Sequence, residues 1–197
     1  MGMSFEDFGN SFAESVSEFA DKRIEQLEAM KAMLLSQEQF ADAMAELASK
    51  GVNLFEGIET ATSSEEAVKA VKTSLKTVED NINTEMEKYF GKGATFKSVY
   101  GSDFTDIMLS AFNLTPEKMA TFDSKQQQSV NEAAKAYMGF WAEAMSDPSN
   151  WVANDPIASF AKMMSQANSK WEQYVIDNPN TLTWYEKVAP ALDTNTT

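Results

Sequence analysis

The chain of 197 residues contains no cysteine and no histidine, and Arg23 is its only arginine. Without cysteine there are no disulfides, no thiol nucleophile and no zinc–thiolate centre, although that absence leaves the compartment open. Without histidine the commonest general base and transition-metal ligand is gone. Ser-His-Asp and Cys-His mechanisms are therefore excluded, as is the Glu-x-x-His di-iron pattern of helical bundles. Positive charge is also scarce: 16 basic residues face 30 acidic ones, a net charge of −14. Nucleic-acid binding needs clustered Lys and Arg to displace counterions, so no nucleic-acid partner is expected. Direct attraction to anionic lipid is disfavoured for the same reason. No run of about 18 apolar residues exists, so no transmembrane segment is expected. The opening MGMSFEDFGNSF is acidic and lacks a long apolar run, so it does not read as a secretory signal. Met1-Gly2 also lacks the downstream Ser or Thr of a myristoylation site. A cytoplasmic location is the expectation.

What the chain does have is helical periodicity. Phe5, Phe8, Phe12, Val16 and Phe19 are spaced by three and four, and Ile24, Leu27, Met30 and Leu34 continue after a skip. Phe40, Met44 and Leu47 follow, which predicts one long helix over about Ser4–Ser49, ended or interrupted by Gly51 and Gly57. Ser63 with Glu66 has capping-box form and opens a second helix. Its apolar residues Val68, Val71, Leu75, Val78, Ile82, Met86 and Tyr89 form a regular seam, with Gly91 and Gly93 as the stop. The stretch KGATFKSVYGSDF reads as irregular. Shorter helices are predicted from about Asp103 to Phe112 and from Thr115-Pro116, then longer ones over Lys125–Met145 and from Asn154-Asp155-Pro156 to Asn178. The last residues, with Trp184 and Tyr185, show no period. No stretch alternates as a strand would, and no repeat recurs at a period of roughly 20–50 residues.

Few positions suggest chemistry. Glu65-Glu66, Glu79-Asp80 and Glu85 with Glu87 read as solvated helix faces. Gly91-Lys92-Gly93 lacks the spacing and preceding strand of a phosphate loop and reads as a helix stop. YMGFWAEAM, from Tyr137 to Met145, is dense in aromatics and methionine, Phe140 and Trp141 among them, and is either core packing or a ligand or interaction surface. Twelve methionines favour an adaptable apolar contact. Phe5, Phe8, Phe12 and Phe19 stud an otherwise polar helix, and two readings stay open: a coiled-coil or core stripe, or a helix laid on an apolar surface. Because that helix is acidic, an uncharged surface suits it better than anionic lipid.

The stretch from Leu27 to Phe90 has a long Ala-, Gln- and Leu-rich helix, a short break, and Ser63-Ser64-Glu65-Glu66-Ala67 opening a second helix. In this layout it resembles the phasin family, whose members coat bacterial polyhydroxyalkanoate storage granules. In the second half, NWVANDPIASFAKMMSQANSKWEQYV resembles the Trp-rich helical segments before the catalytic domain of polymer synthases, or their accessory subunits. The cysteine and histidine of the synthase itself are absent, which excludes synthase activity.

The expected fold is all-α, with long amphipathic helices in an antiparallel hairpin or bundle that self-associates. Residues 1–92 are expected to form a long-helix region and residues 93–197 an aromatic-rich helical region with an irregular tail. The resemblance implies a non-enzymatic, granule-associated coat without cofactor or metal. Its partners would be the polyester surface, its own copies and, as a candidate, the polymer synthase. The candidate contact residues are Phe5, Phe8, Phe12, Phe19, Leu27, Leu34, Val71, Leu75, Val78, Ile82, Phe140 and Trp141. The rival readings are a helical assembly scaffold with no polymer ligand, and a ligand carrier or enzyme with a pocket around Tyr137, Phe140, Trp141 and Trp171.

Overall fold

The computed structural model describes residues 4–153 and 155–185. Met1–Met3, Asn154 and the tail beyond Tyr185 lie outside the described residues. Seven α-helices, and no strand, are found among those described. The long first helix predicted from Ser4 is present. The Ser4 hydroxyl accepts a bond from the Asp7 amide at 3.1 Å, and Glu6 and Asp7 lie at the positive end of the helix dipole. From there α1 runs unbroken over Phe5–Lys50, 46 residues. At about 1.5 Å per residue this is a rod of about 69 Å. It stops at Gly51, whose φ of 74° is a conformation that side chains resist.

The second helix, α2, spans Ser64–Phe90. The Ser63 hydroxyl accepts from the Glu66 amide, as the capping motif predicts. Glu66 does not return the bond to Ser63. Its carboxylate accepts from the Thr62 amide at 2.8 Å and the Thr62 hydroxyl at 2.9 Å, which holds that carboxyl below its usual range. The stretch read as irregular contains a short helix, α3, over Phe96–Tyr100, opened by a reciprocal Thr95–Ser98 capping box. Then come α4 (Phe104–Phe112), α5 (Pro116–Met119), α6 (Ser124–Ser146) and α7 (Pro156–Asp177). Asp123 and Asp155 cap α6 and α7 through their side chains.

The start of α4 is capped from a distance. Asp103 makes no capping bond, and Glu79 of α2 accepts from the Phe104 and Thr105 amides at 3.0 and 3.1 Å. Glu79 is thus a structural tie, and the solvated-face reading of Glu79-Asp80 is corrected at that residue. Glu79→Ala is expected to lower unfolding free energy by about 1–2 kcal/mol, because two bonds to a half-buried charge are lost. Burial, opposed by those two amides, still raises the Glu79 carboxyl above its ordinary range. The folded state therefore holds this proton to higher pH than the unfolded chain. Its contribution to stability falls as pH rises through that window. Urea titrations of the wild type and Glu79→Gln between pH 4 and 7 should show this slope only in the wild type.

The helices pack antiparallel. The Gln37 side-chain amide donates to the Met145 carbonyl, and the Leu54 amide donates to Asn131, so the second half of α1 runs against α6 in the opposite sense. α2 folds back so that Phe90 meets Phe40 at 6.0 Å between ring centroids. α7 returns along α6, where the Tyr137 hydroxyl donates to Asn168 at 3.1 Å. Phe96 sits at the centre and contacts Phe40, Phe104, Trp141 and Phe160. The compositional boundary at 92/93 falls in the loop between α2 and α3, and core contacts cross it. The last described residues pack locally, with Leu182 and Trp184 buried and Trp184 against Phe112 and Phe122.

Candidate functional site: an uncovered apolar stripe on α1

The bundle covers only part of α1. Every residue from Ser4 to Ala29 is exposed, and burial becomes continuous along one face only from Gln37. The reason is length. α6, the main partner of α1, has 23 residues against 46 and ends at Ser146, just beyond the Met145 carbonyl that Gln37 reaches. A helix of about 35 Å cannot cover one of about 69 Å.

The uncovered half is not polar. Phe5, Phe8, Phe12 and Phe19 are 98, 62, 63 and 69% exposed. Val16, Ile24, Leu27, Leu34 and Leu35 are exposed as well. The rings of Phe8 and Phe12 stack on each other at 6.5 Å, which shields little of either. The stripe is also in phase with the packed face. Phe8, Phe19, Met30 and Ala41 recur every eleven residues, and Ala41 is buried against the bundle. At about 100° per residue, positions eleven apart drift by only about 20°. So the face that meets the bundle from Gln37 onward continues outward with no described residue over it. Contiguous apolar surface of this kind marks a contact site.

The twelve candidate residues separate cleanly. Phe5, Phe8, Phe12, Phe19, Leu27 and Leu34 lie together on the stripe. Val71, Leu75, Val78 and Ile82 do not: they are buried against the rest of the bundle, so the α2 seam is core and is unavailable while the fold is intact. Trp141 is likewise fully buried. Phe140 is half-buried and edge-on to Tyr174 of α7 at 6.1 Å. Periodicity identifies an apolar face but not what covers it, which is why these five core residues entered the candidate set. Leu35 is exposed too, but lies about 100° around the helix from Leu34 and off the stripe. The mismatch in helix lengths is the sequence signal that would have marked the first half of α1 as uncovered.

Of the aromatic residues in the rival reading, Tyr137, Trp141 and Trp171 are buried among other rings, and Trp171 also borders a surface cleft of about 600 Å³ with Ile107, Met164, Asn168 and Tyr185. Tyr137 packs on Trp141 and Trp171 at 6.5 and 6.0 Å, and Trp171 packs on Phe112 at 4.5 Å. Burial pushes the Tyr137 phenol up to about 12 and the Tyr100 phenol above the usual tyrosine range, so neither ionises near neutral pH. Asp80 is engaged by Lys76 at 3.1 Å and Glu85 by Lys88 at 2.9 Å. Among the described residues no three acidic groups cluster as cation ligands. No described helix is long and apolar enough to cross a membrane.

Compared with protein-family models, curated proteins and solved structures, the chain matches none. The polar side of the uncovered half of α1 carries Glu14, Glu18, Asp21, Glu25 and Glu28, with Lys22 and Lys31 towards its edges, so an apolar face is backed by an acidic one. Such a helix can lie on a neutral apolar surface and turn its charges to water.

Proposed function

We propose that this protein is a non-enzymatic coat of a neutral apolar surface, of the kind presented by stored polyester granules, which it grips through the first half of α1. The observation that carries the reading is the stripe from Phe5 to Leu34, exposed on a helix whose same face is packed further along. The phasin-like layout of residues 27–90 supports the polyester as the surface, and the exposure of the phenylalanines supports α1 as the contact.

Energetics favour this contact over the α2 seam. Four phenylalanines of roughly 200 Å² each, at their observed exposures, offer about 600 Å². At about 25 cal/mol per Å² that is roughly 15 kcal/mol of gross transfer free energy, before the losses of immobilisation. None of the bundle has to open for it. Using Val71, Leu75, Val78 and Ile82 would instead require breaking the core, against a folding stability of about 5–15 kcal/mol. The bundle then stands off the surface, and its net charge of −14 repels neighbouring coated particles.

The test is adsorption of purified protein to an emulsified neutral polyester in high salt. Wild-type binding should persist, because burial of apolar area is not screened. The variant Phe5→Ser, Phe8→Ser, Phe12→Ser and Phe19→Ser should lose it and keep the wild-type melting temperature. Equal binding by this variant would overturn the assignment to α1. Absence of wild-type binding would leave the assembly-scaffold reading in its place.

A further inference from the structure

We infer that, free in solution, two copies of this chain pair through the uncovered halves of α1, antiparallel and centred near Phe19. The inference uses the same stripe as the proposed coat but stands on the helix alone, whatever surface the stripe later meets. The occupant is a second copy because the stripe fits itself in area, in apolar register and in charge.

Area comes first. About 600 Å² of exposed phenylalanine, before Val16, Leu27 and Leu34 are added, approaches the roughly 800 Å² per partner of a stable interface. Register follows from the spacing. If residue i lies level with roughly residue 39 − i of the second copy, at about 1.5 Å per residue, Phe5 meets Leu34 and Phe12 meets Leu27. Phe19 then lies beside Ala20 at the two-fold axis. The large rings of the outer end thus face the smaller aliphatic side chains of the inner end, twice over. The eleven-residue period, slightly over 3.6 residues per turn, keeps the contact face nearly straight.

Charge sets the direction. At about 100° per residue, Glu6 and Lys31 fall on one flank of the stripe, and Glu18 and Lys22 on the other. In an antiparallel pair each flank meets the same flank of the other copy. Glu6 then lies within about 3 Å axially of the second Lys31, and Glu18 within about 1.5 Å of the second Lys22. Both contacts occur twice. In a parallel pair opposite flanks meet, and these acids and bases are separated by about 18 Å or more. Arg23 interrupts the stripe and lies level with Val16 of the second copy. Rim ion pairs add little affinity, yet they decide orientation.

The absence of native cysteine gives a clean test. Sedimentation equilibrium of the intact chain at tens of micromolar should give a dimer that dissociates on dilution. Under mild oxidation Phe19→Cys should cross-link to itself. Phe5→Cys alone should not, but should cross-link to Leu34→Cys when the two proteins are mixed. Lys31→Glu should weaken the dimer several-fold, and Glu6→Lys combined with Lys31→Glu should restore it. These residues lie outside the core, so the folded bundle is unaffected. A monomer at every concentration overturns the inference. So does self-cross-linking of Phe5→Cys, which marks a parallel pair, or failure of the charge swap to rescue. Adsorption to polyester, measured separately, reports on the coat function whichever result is found.

Discussion

Replacing Trp141 with alanine is expected to lower unfolding free energy by about 3–5 kcal/mol, the range for removing a fully buried large side chain. Trp141 has no exposed surface and packs on Phe96, Phe104 and Phe160, with the Phe160 ring stacked at 5.3 Å. Its indole nitrogen has no hydrogen-bond partner, so Trp141→Phe should be milder than the volume change alone implies. Phe12→Ala, an equally aromatic deletion on the stripe, should change stability by no more than about 0.5 kcal/mol. Urea unfolding of the three variants measures the contrast. Near-equal losses at Trp141 and Phe12 would mean that the aromatic face of α6 is not the core, or that the stripe is covered.

The second large effect concerns proteolysis at sub-micromolar concentration. Trypsin should cut first after Lys22, Arg23 and Lys31, on the uncovered half of α1. A helix without tertiary partners is marginal in water, so this half opens readily. Lys135 and Lys162 are also exposed, but they sit on α6 and α7, whose opening requires breaking the bundle. A difference of about 3 kcal/mol in opening free energy makes cleavage there at least about a hundredfold slower. The trimmed bundle should keep the wild-type melting temperature, because no side chain between Ser4 and Ala29 is buried against it. Cleavage at comparable rates throughout would contradict the division of α1 into a covered and an uncovered half. At high concentration the pairing of α1 should slow the early cuts, which distinguishes self-association from intrinsic helix stability.

Much of the local structure was legible in the residues. The three- and four-residue spacing of α1, α2, α6 and α7 and their Ser, Asp and Pro starts place these helices within a residue or two of their observed ends. α3 was not legible by period, because five residues make little more than one turn, although Thr95 and Ser98 carry its capping box. The distant capping of α4 by Glu79 was also invisible, since the two partners are 25 and 26 residues apart in sequence. The site divided in the same way. The stripe on α1 and the seam on α2 have the same local pattern, and only the third dimension decides which is covered. Val78 and Ile82 meet the bundle, whereas Phe12 and Phe19 lie beyond the end of α6.

The measurement that bears most directly on the whole account is amide hydrogen exchange of the protein adsorbed on neutral polyester, compared with the dilute free chain. Protection is expected to rise strongly between Phe5 and Leu35, with exchange in α2, α6 and α7 unchanged. Faster exchange around Val71–Ile82 and Tyr137–Trp141 on adsorption would contradict it. That result would mean the bundle opens and lays its core on the surface, and that the exposed stripe of α1 is not the contact.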